Sequence, residues 1–221
     1  MIKIFSSKTI GLLLLVGSIL VIVDLYSHSS APLKPVSKYI PSSQSVCIDP
    51  GHGGNDPGAQ AANLTEATIN LEVAFKVRSE LEAKGYPVYM TRTSDQTLSH
   101  AQRADFCNAH HATILVAIHQ NAYPYSNADY STALEYKPQD GALAVALAEA
   151  AGKELGLSVT PPSWFEGGVL MHSDMPATLI ESLFITNTSE QAAFNRDSSR
   201  LNQEAQGIVN GIVIYLNGHK S

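Results

Sequence analysis

The chain has 221 residues, 44% hydrophobic and 15% charged, enough to bury one substantial core but not a second full domain. A formal net charge of −6 and a pI near 5.7 come without the basic stripe that binding a polyanion requires, so nucleic acid is set aside as a partner.

Lys3 and Lys8 lead into an apolar run of about 14 residues at 10–23, the pattern of a secretory h-region. Residues 1–26 are therefore expected to be a signal peptide or a membrane anchor, with the protein in the periplasm or cell envelope. Ser27-His28-Ser29 offers small residues at the spacing a signal peptidase prefers. Membrane attachment through residues 10–23 is the alternative to cleavage, although the run falls short of the roughly 20 residues that span a bilayer comfortably. Residues 27–45 are rich in Ser and Pro and read as a linker, so the folded part is expected over 46–218.

From there, short apolar runs alternate with helical patterns, as in a sheet covered by helices. Val46-Cys47-Ile48 is a strand halted by the Asp49-Pro50-Gly51 turn. A helix is expected over 65–84, where Ile69, Val73, Val77 and Leu81 recur every fourth residue and Gly85 ends it. Residues 87–91 supply a strand. Ser99 and Gln102 make a capping box for a helix over 99–109. Residues 114–118 form a continuous apolar run suited to a strand covered on both faces, which delivers His119 at its carboxyl end. Residues 133–136 read as a strand, 141–155 as an alanine-rich helix ended by Gly156, 169–170 and 178–180 as strands, and 201–216 as a last helix stopped by Asn217-Gly218. Cys47 and Cys107 are the only cysteines; either a disulfide or two buried thiols suits them.

Three separated side chains stand out: His52 in a glycine-rich turn, Glu66 at a helix start and His119 after a buried strand. Two imidazoles and a carboxylate suit zinc and leave a coordination place open, as in hydrolytic rather than structural sites. Each has a plainer explanation. A histidine can simply belong to a turn, and an acid at a helix start interacts well with the helix dipole. His119 is harder to dismiss, because a polar group at the end of a buried strand needs a partner. Glu181 follows the apolar Leu179-Ile180 in the same way, as either a salt-bridged acid or a group poised for proton transfer. Asn121 and His172 are candidate substrate contacts, while Arg92 and Arg103 are expected to hold loops by hydrogen bonding. In open α/β sheets ligands bind beyond the carboxyl ends of strands, so His52, His119 and Glu181 can converge.

The order of motifs resembles a known family. Asp49-Pro50-Gly51-His52-Gly53-Gly54, Asp56-Pro57-Gly58-Ala59, Glu66, Thr91-Arg92-Thr93, Arg103, Ala117-Ile118-His119-Gln120-Asn121 and Leu179-Ile180-Glu181-Ser182 together resemble the zinc-dependent N-acetylmuramoyl-L-alanine amidases of bacterial peptidoglycan. The resemblance implies a single α/β domain with a six-stranded, mostly parallel sheet flanked by helices. It also implies one Zn²⁺ per chain on His52, Glu66 and His119, with Glu181 as acid/base. The substrate would be peptidoglycan or muropeptides, cut between N-acetylmuramic acid and the L-alanine of the stem peptide. Gln120 departs from the alanine frequent in the family, and Met171 stands where a basic residue is common. The same chemistry would serve a zinc peptidase or deacetylase on another wall bond, and a non-catalytic wall-binding module could keep the fold.

Overall fold

The computed structural model describes residues 44–125, 127–196 and 199–219. The expected leader and nearly all of the expected linker lie outside the described residues. Gln44 and Ser45, assigned to the linker from sequence, are already tied to the domain: the Ser45 amide donates to Thr113 Oγ1 (3.0 Å) and Gln44 Nε2 to the Leu216 carbonyl (3.1 Å). Among the described residues no helix is long and apolar enough to cross a membrane.

A single α/β domain forms around a mostly parallel sheet. In chain order its elements are β1 (Val46–Pro50), β2 (Gln60–Ala61), β3 (Leu64–Thr65), α1 (Glu66–Ala83), β4 (Val88–Met90), α2 (His100–Ala109), β5 (Ile114–Asn121), β6 (Tyr130–Glu135), α3 (Gly141–Leu155), β7 (Ser158–Val159), β8 (Ser163–Trp164), a 3-10 turn (Gly168–His172), β9 (Ala177–Phe184), α4 (Thr188–Arg196) and α5 (Ser199–Gly218). The sheet runs β4-β1-β5-β9-β6-β7, with β8 also paired to β6. Only the β6·β9 pair is antiparallel within it. The strand count is seven rather than six because two short strands share one edge of β6, β7 pairing at Tyr130 and Ser131 and β8 at Leu134 and Glu135.

Strand alternation assigns the two faces. Val46, Ile48, Val116, Ile118 and Ile180 point to the face covered by α1, α3 and α5, whereas Cys47, Leu115, Ala117 and Leu179 point to the face where α2 and the 3-10 turn pack. The α1 periodicity reads out as expected, with Ile69, Val73, Val77 and Leu81 buried. Ser99 caps α2 through the complete capping box, and Gly156 ends α3 in the left-handed conformation at φ 70°.

Several local expectations are corrected. Residues 169–170 are not a strand: β5 and β6 already occupy both edges of β9, so this segment coils into the 3-10 turn. There the Leu170 carbonyl accepts from Ser173 Oγ (3.0 Å) and Lys137 Nζ (3.2 Å) instead of from a ladder. His119 and Glu181 lie inside β5 and β9 rather than at their ends, because both strands run on beyond the apolar stretch. Helix α4 was not anticipated; the Asn187 side chain starts it by accepting from the Ser189 and Glu190 amides. Cys47 and Cys107 form a disulfide between β1 and α2.

Candidate active site

Four elements meet at one edge of a cleft of about 470 Å³ lined by His52, His119 and Glu181. The loop after β1 brings His52, the first residue of α1 is Glu66, β5 brings His119 and β9 brings Glu181. His119 and Glu181 are register partners across the β5·β9 ladder, so both side chains leave the sheet on the same face.

The loop carrying His52 is held by two buried arginines, as the sequence reading expected. Arg92 donates to the carbonyls of Pro50 (2.8 Å), Gly51 (2.9 Å) and Ala67 (2.7 Å). Arg103 pairs with the Asp49 carboxylate (2.8 Å) and reaches the carbonyls of Pro50 and His52. These bonds tie the turn after β1 to α1 and α2, and they hold His52 at a left-handed φ of 60°, which a non-glycine residue adopts only when its surroundings impose it.

His52, Glu66 and His119 offer ligand atoms all within 4.8 Å of one another. Glu66 Oε1 lies 3.1 Å from His52 Nε2 and 3.0 Å from His119 Nδ1, and it also accepts from the Gln120 amide (3.2 Å). Its other oxygen, Oε2, accepts from the Ala59 amide (2.8 Å). Burial alone would raise the Glu66 pKa, but the bonds from both histidines outweigh it and hold the carboxyl far below the usual range. Burial would likewise lower the His52 pKa; Glu66 and Asp56 overturn that and push it up to about 9. Asp56 takes the outer nitrogen of the ring, Nδ1, at 2.8 Å, which turns Nε2 inward. A carboxylate on the far nitrogen of a ligating histidine is the usual way of fixing ring orientation and raising basicity at metal sites. The donor set therefore fits a zinc ion.

Close packing leaves no freedom at two glycines. A Cβ on Gly51 would fall inside the His119 imidazole, and one on Gly58, at φ 67°, would lie 2.6 Å from both Glu66 Oε2 and the His52 ring. Gly51→Ala is expected to displace the His119 ring and weaken metal binding at least about tenfold, with turnover down roughly 100-fold. Chelator competition and initial rates check both.

Glu181 differs from Glu66. It is half-buried at the cleft, and its Oε2, shielded from solvent, has no hydrogen-bond partner among the described residues. Burial, reinforced by the nearby Glu66 charge, outweighs the two histidines and pushes its pKa up to about 7, where a carboxyl group can both take and return a proton. The cleft also has an apolar wall formed by Leu134, Phe165, Val169 and Leu179.

Asn121 and His172 do not line this cleft. Asn121 turns back on its own chain, its Oδ1 accepting from the Ala122 amide (2.8 Å), and His172 is exposed at the end of the 3-10 turn. His100 is exposed and lines the cleft. Sequence reasoning missed Asp56, although its place four residues after His52 inside a tight Gly-Asn-Asp-Pro-Gly turn was the available signal.

A buried carboxylate between two half-buried imidazoles, with a further carboxyl group across the strand pair of a mostly parallel α/β sheet, is a candidate metal centre of the make-up found in hydrolases. The model of the family described as N-acetylmuramoyl-L-alanine amidase matches residues 46–213. The chain belongs to this family. Among its relatives are an endolysin of Bacillus phage SPP1, 34% identical with 79% of this chain and 67% of the relative covered, and the N-acetylmuramoyl-L-alanine amidase CwlM of Bacillus licheniformis, 30% identical with 80% and 70% covered. The crystal structure of an N-acetylmuramoyl-L-alanine amidase from Clostridium difficile 630 is similar at a TM-score of 0.75 and 34% identity, covering 80% of this chain and 98% of that one. The catalytic domain of CwlV from Bacillus (Paenibacillus) polymyxa gives 0.74 and 30%, with 79% and 98% covered.

Proposed function

We propose that this protein is a zinc-dependent amidase that cuts the bond between N-acetylmuramic acid and the L-alanine of the stem peptide in peptidoglycan. The observation that carries the reading is the shared oxygen of Glu66, which gathers both histidines near a half-buried, proton-competent Glu181. A zinc ion held by His52, Glu66 and His119 would supply Lewis acidity, making water a better nucleophile and polarising the lactyl carbonyl. Glu181 takes the proton from the attacking water and returns it to the departing alanine nitrogen. Asp56 orients His52, and the apolar wall limits competing water. The products are a glycan strand bearing the lactyl carboxylate and a free stem peptide beginning with L-alanine. Residues 1–26 fit an export signal in this reading, which brings the enzyme to the envelope where its substrate lies.

Digestion of purified sacculi tests this. Mass spectrometry is expected to find free stem peptides with an alanine amino terminus, none after chelation and full release once zinc is returned. Fragments still joining disaccharide to peptide would instead mean a peptidase, and release of acetate a deacetylase.

Zinc uptake should depend on pH with a definite sign. With its pKa raised to about 9, His52 carries a proton at neutral pH that binding must displace. Apparent affinity is therefore expected to rise as pH increases toward 9, by about tenfold per unit for one displaced proton. Chelator competition at pH 7 and 8 measures the slope, and equal affinities would contradict it.

A further inference from the structure

Behind the site, on the opposite face of the sheet, sits a carboxyl group that the proposed chemistry does not use. Glu204 of α5 is wholly buried, and among the described residues no lysine, arginine or histidine forms an ion pair with it. Gln120 Nε2 donates to its Oε1 at 2.7 Å. The Ser182 hydroxyl also faces this carboxyl, although its geometry falls short of a complete hydrogen bond.

Gln120 and Ser182 are the residues immediately after His119 and Glu181. Side chains alternate along a strand, so a residue that follows a cleft-facing one points to the other face. Glu204 thus reaches the two strands from below at the rung where His119 and Glu181 are partners. The β5 ladder shifts register between His119 and Asn121, so Gln120 occupies the irregular position where the ladder itself fixes the backbone least. From that position its amide donates to Glu66 Oε1 at 3.2 Å. One residue therefore links the buried helix acid to the carboxylate that gathers both histidines.

We infer that Glu204 is a positioning residue, which through Gln120 and Ser182 holds the bulged rung bearing His119 and Glu181 in register with Glu66. A fully buried acid with no cation in ion-pair contact is costly, and burial pushes its pKa up to about 7 despite the Gln120 bond, the nearby Ser182 hydroxyl and the more distant Arg200 charge. An apolar side chain in the interior of α5 would stabilise the fold more simply. The acid instead acts on the site, and the inference rests on the zinc reading above.

The test compares Glu204→Gln, Glu204→Leu and the double variant Gln120→Ala/Glu204→Leu in the full chain. Readouts are zinc affinity by chelator competition, melting temperature, and kcat and KM on muropeptides. Glu204→Gln retains an acceptor for Gln120 and is expected to bind zinc like wild type. The double variant leaves neither partner unpaired, so it is expected to fold with little loss of stability. Its zinc affinity should still drop about tenfold, the scale seen when groups behind metal ligands are removed, and kcat should fall with KM unchanged. A double variant with wild-type zinc affinity and kcat would overturn the inference, whatever Glu204→Leu does to the melting temperature. If the wild type itself bound no zinc, the zinc reading and this inference would fall together. Wild-type zinc binding with no difference in the double variant removes only the role of Glu204.

Discussion

Glu181→Gln is expected to lower kcat by about 1,000-fold, within the range typical of losing a general acid/base, while one zinc per chain and the melting temperature are retained. The amide nearly matches the carboxyl in shape, so packing in β9 is preserved. What it removes is the ability to accept a proton. Glu181 suits that task because burial and the Glu66 charge hold its pKa near 7, whereas Glu66, locked between two histidines, stays ionised far below that. Two carboxyl groups in one site are thereby driven apart in acidity, and the proposed mechanism gives ligation to one and proton transfer to the other. Zinc content by mass spectrometry alongside rates on muropeptides decides the matter. A variant keeping more than a tenth of wild-type turnover would remove Glu181 from the mechanism.

The second large effect concerns stability. The Cys47–Cys107 disulfide closes a loop with a sequence separation of 60 between β1 and α2. Constraining a loop of that length in the unfolded chain contributes about 4 kcal/mol by the chain-entropy model. Replacing both cysteines by alanine is expected to lower the melting temperature by roughly 8–16 °C for a domain of this size. The location matters as much as the magnitude. Cys107 lies one helical turn beyond Arg103, whose guanidinium clamps Asp49 and the Pro50 and His52 carbonyls, and Cys47 lies two residues before Asp49. The cross-link and the arginine thus fasten the same strand to the same helix, so zinc affinity should fall together with stability. Melting curves with and without reductant, on wild type and on the alanine pair, measure the contribution. Identical curves would show that the bond contributes nothing.

Legibility in the sequence followed the range of the interaction. Helices α1, α2 and α3 could be read because their signals are local: an apolar residue every fourth position, the Ser99 capping box, and Gly156 as a left-handed stop. His52, His119 and Glu181 were legible because each interrupts an apolar or glycine-rich pattern, and Glu66 because it stands at a helix start. Their convergence was expected from the rule for open α/β sheets, and the sheet order, which sets β5 between β1 and β9, brings it about. What stayed hidden depends on partners far along the chain. The 3-10 turn at Gly168–His172 exists because both edges of β9 are taken, and a two-residue apolar run carries no record of that. The Gln120–Glu204 bond joins positions 84 apart, and from sequence Glu204 was only one more polar residue on an amphipathic helix. Asp56, four residues from the histidine it orients, was within local reach and was overlooked.

The four chemical groups sit on separate elements, from residue 52 to residue 181, and β9 is the last strand of the sheet to be made. A chain made only as far as β6 therefore holds no complete centre, because β9 supplies Glu181 last. In the proposed function, hydrolysis therefore begins only once β9 has joined β5 and set Glu181 beside His119.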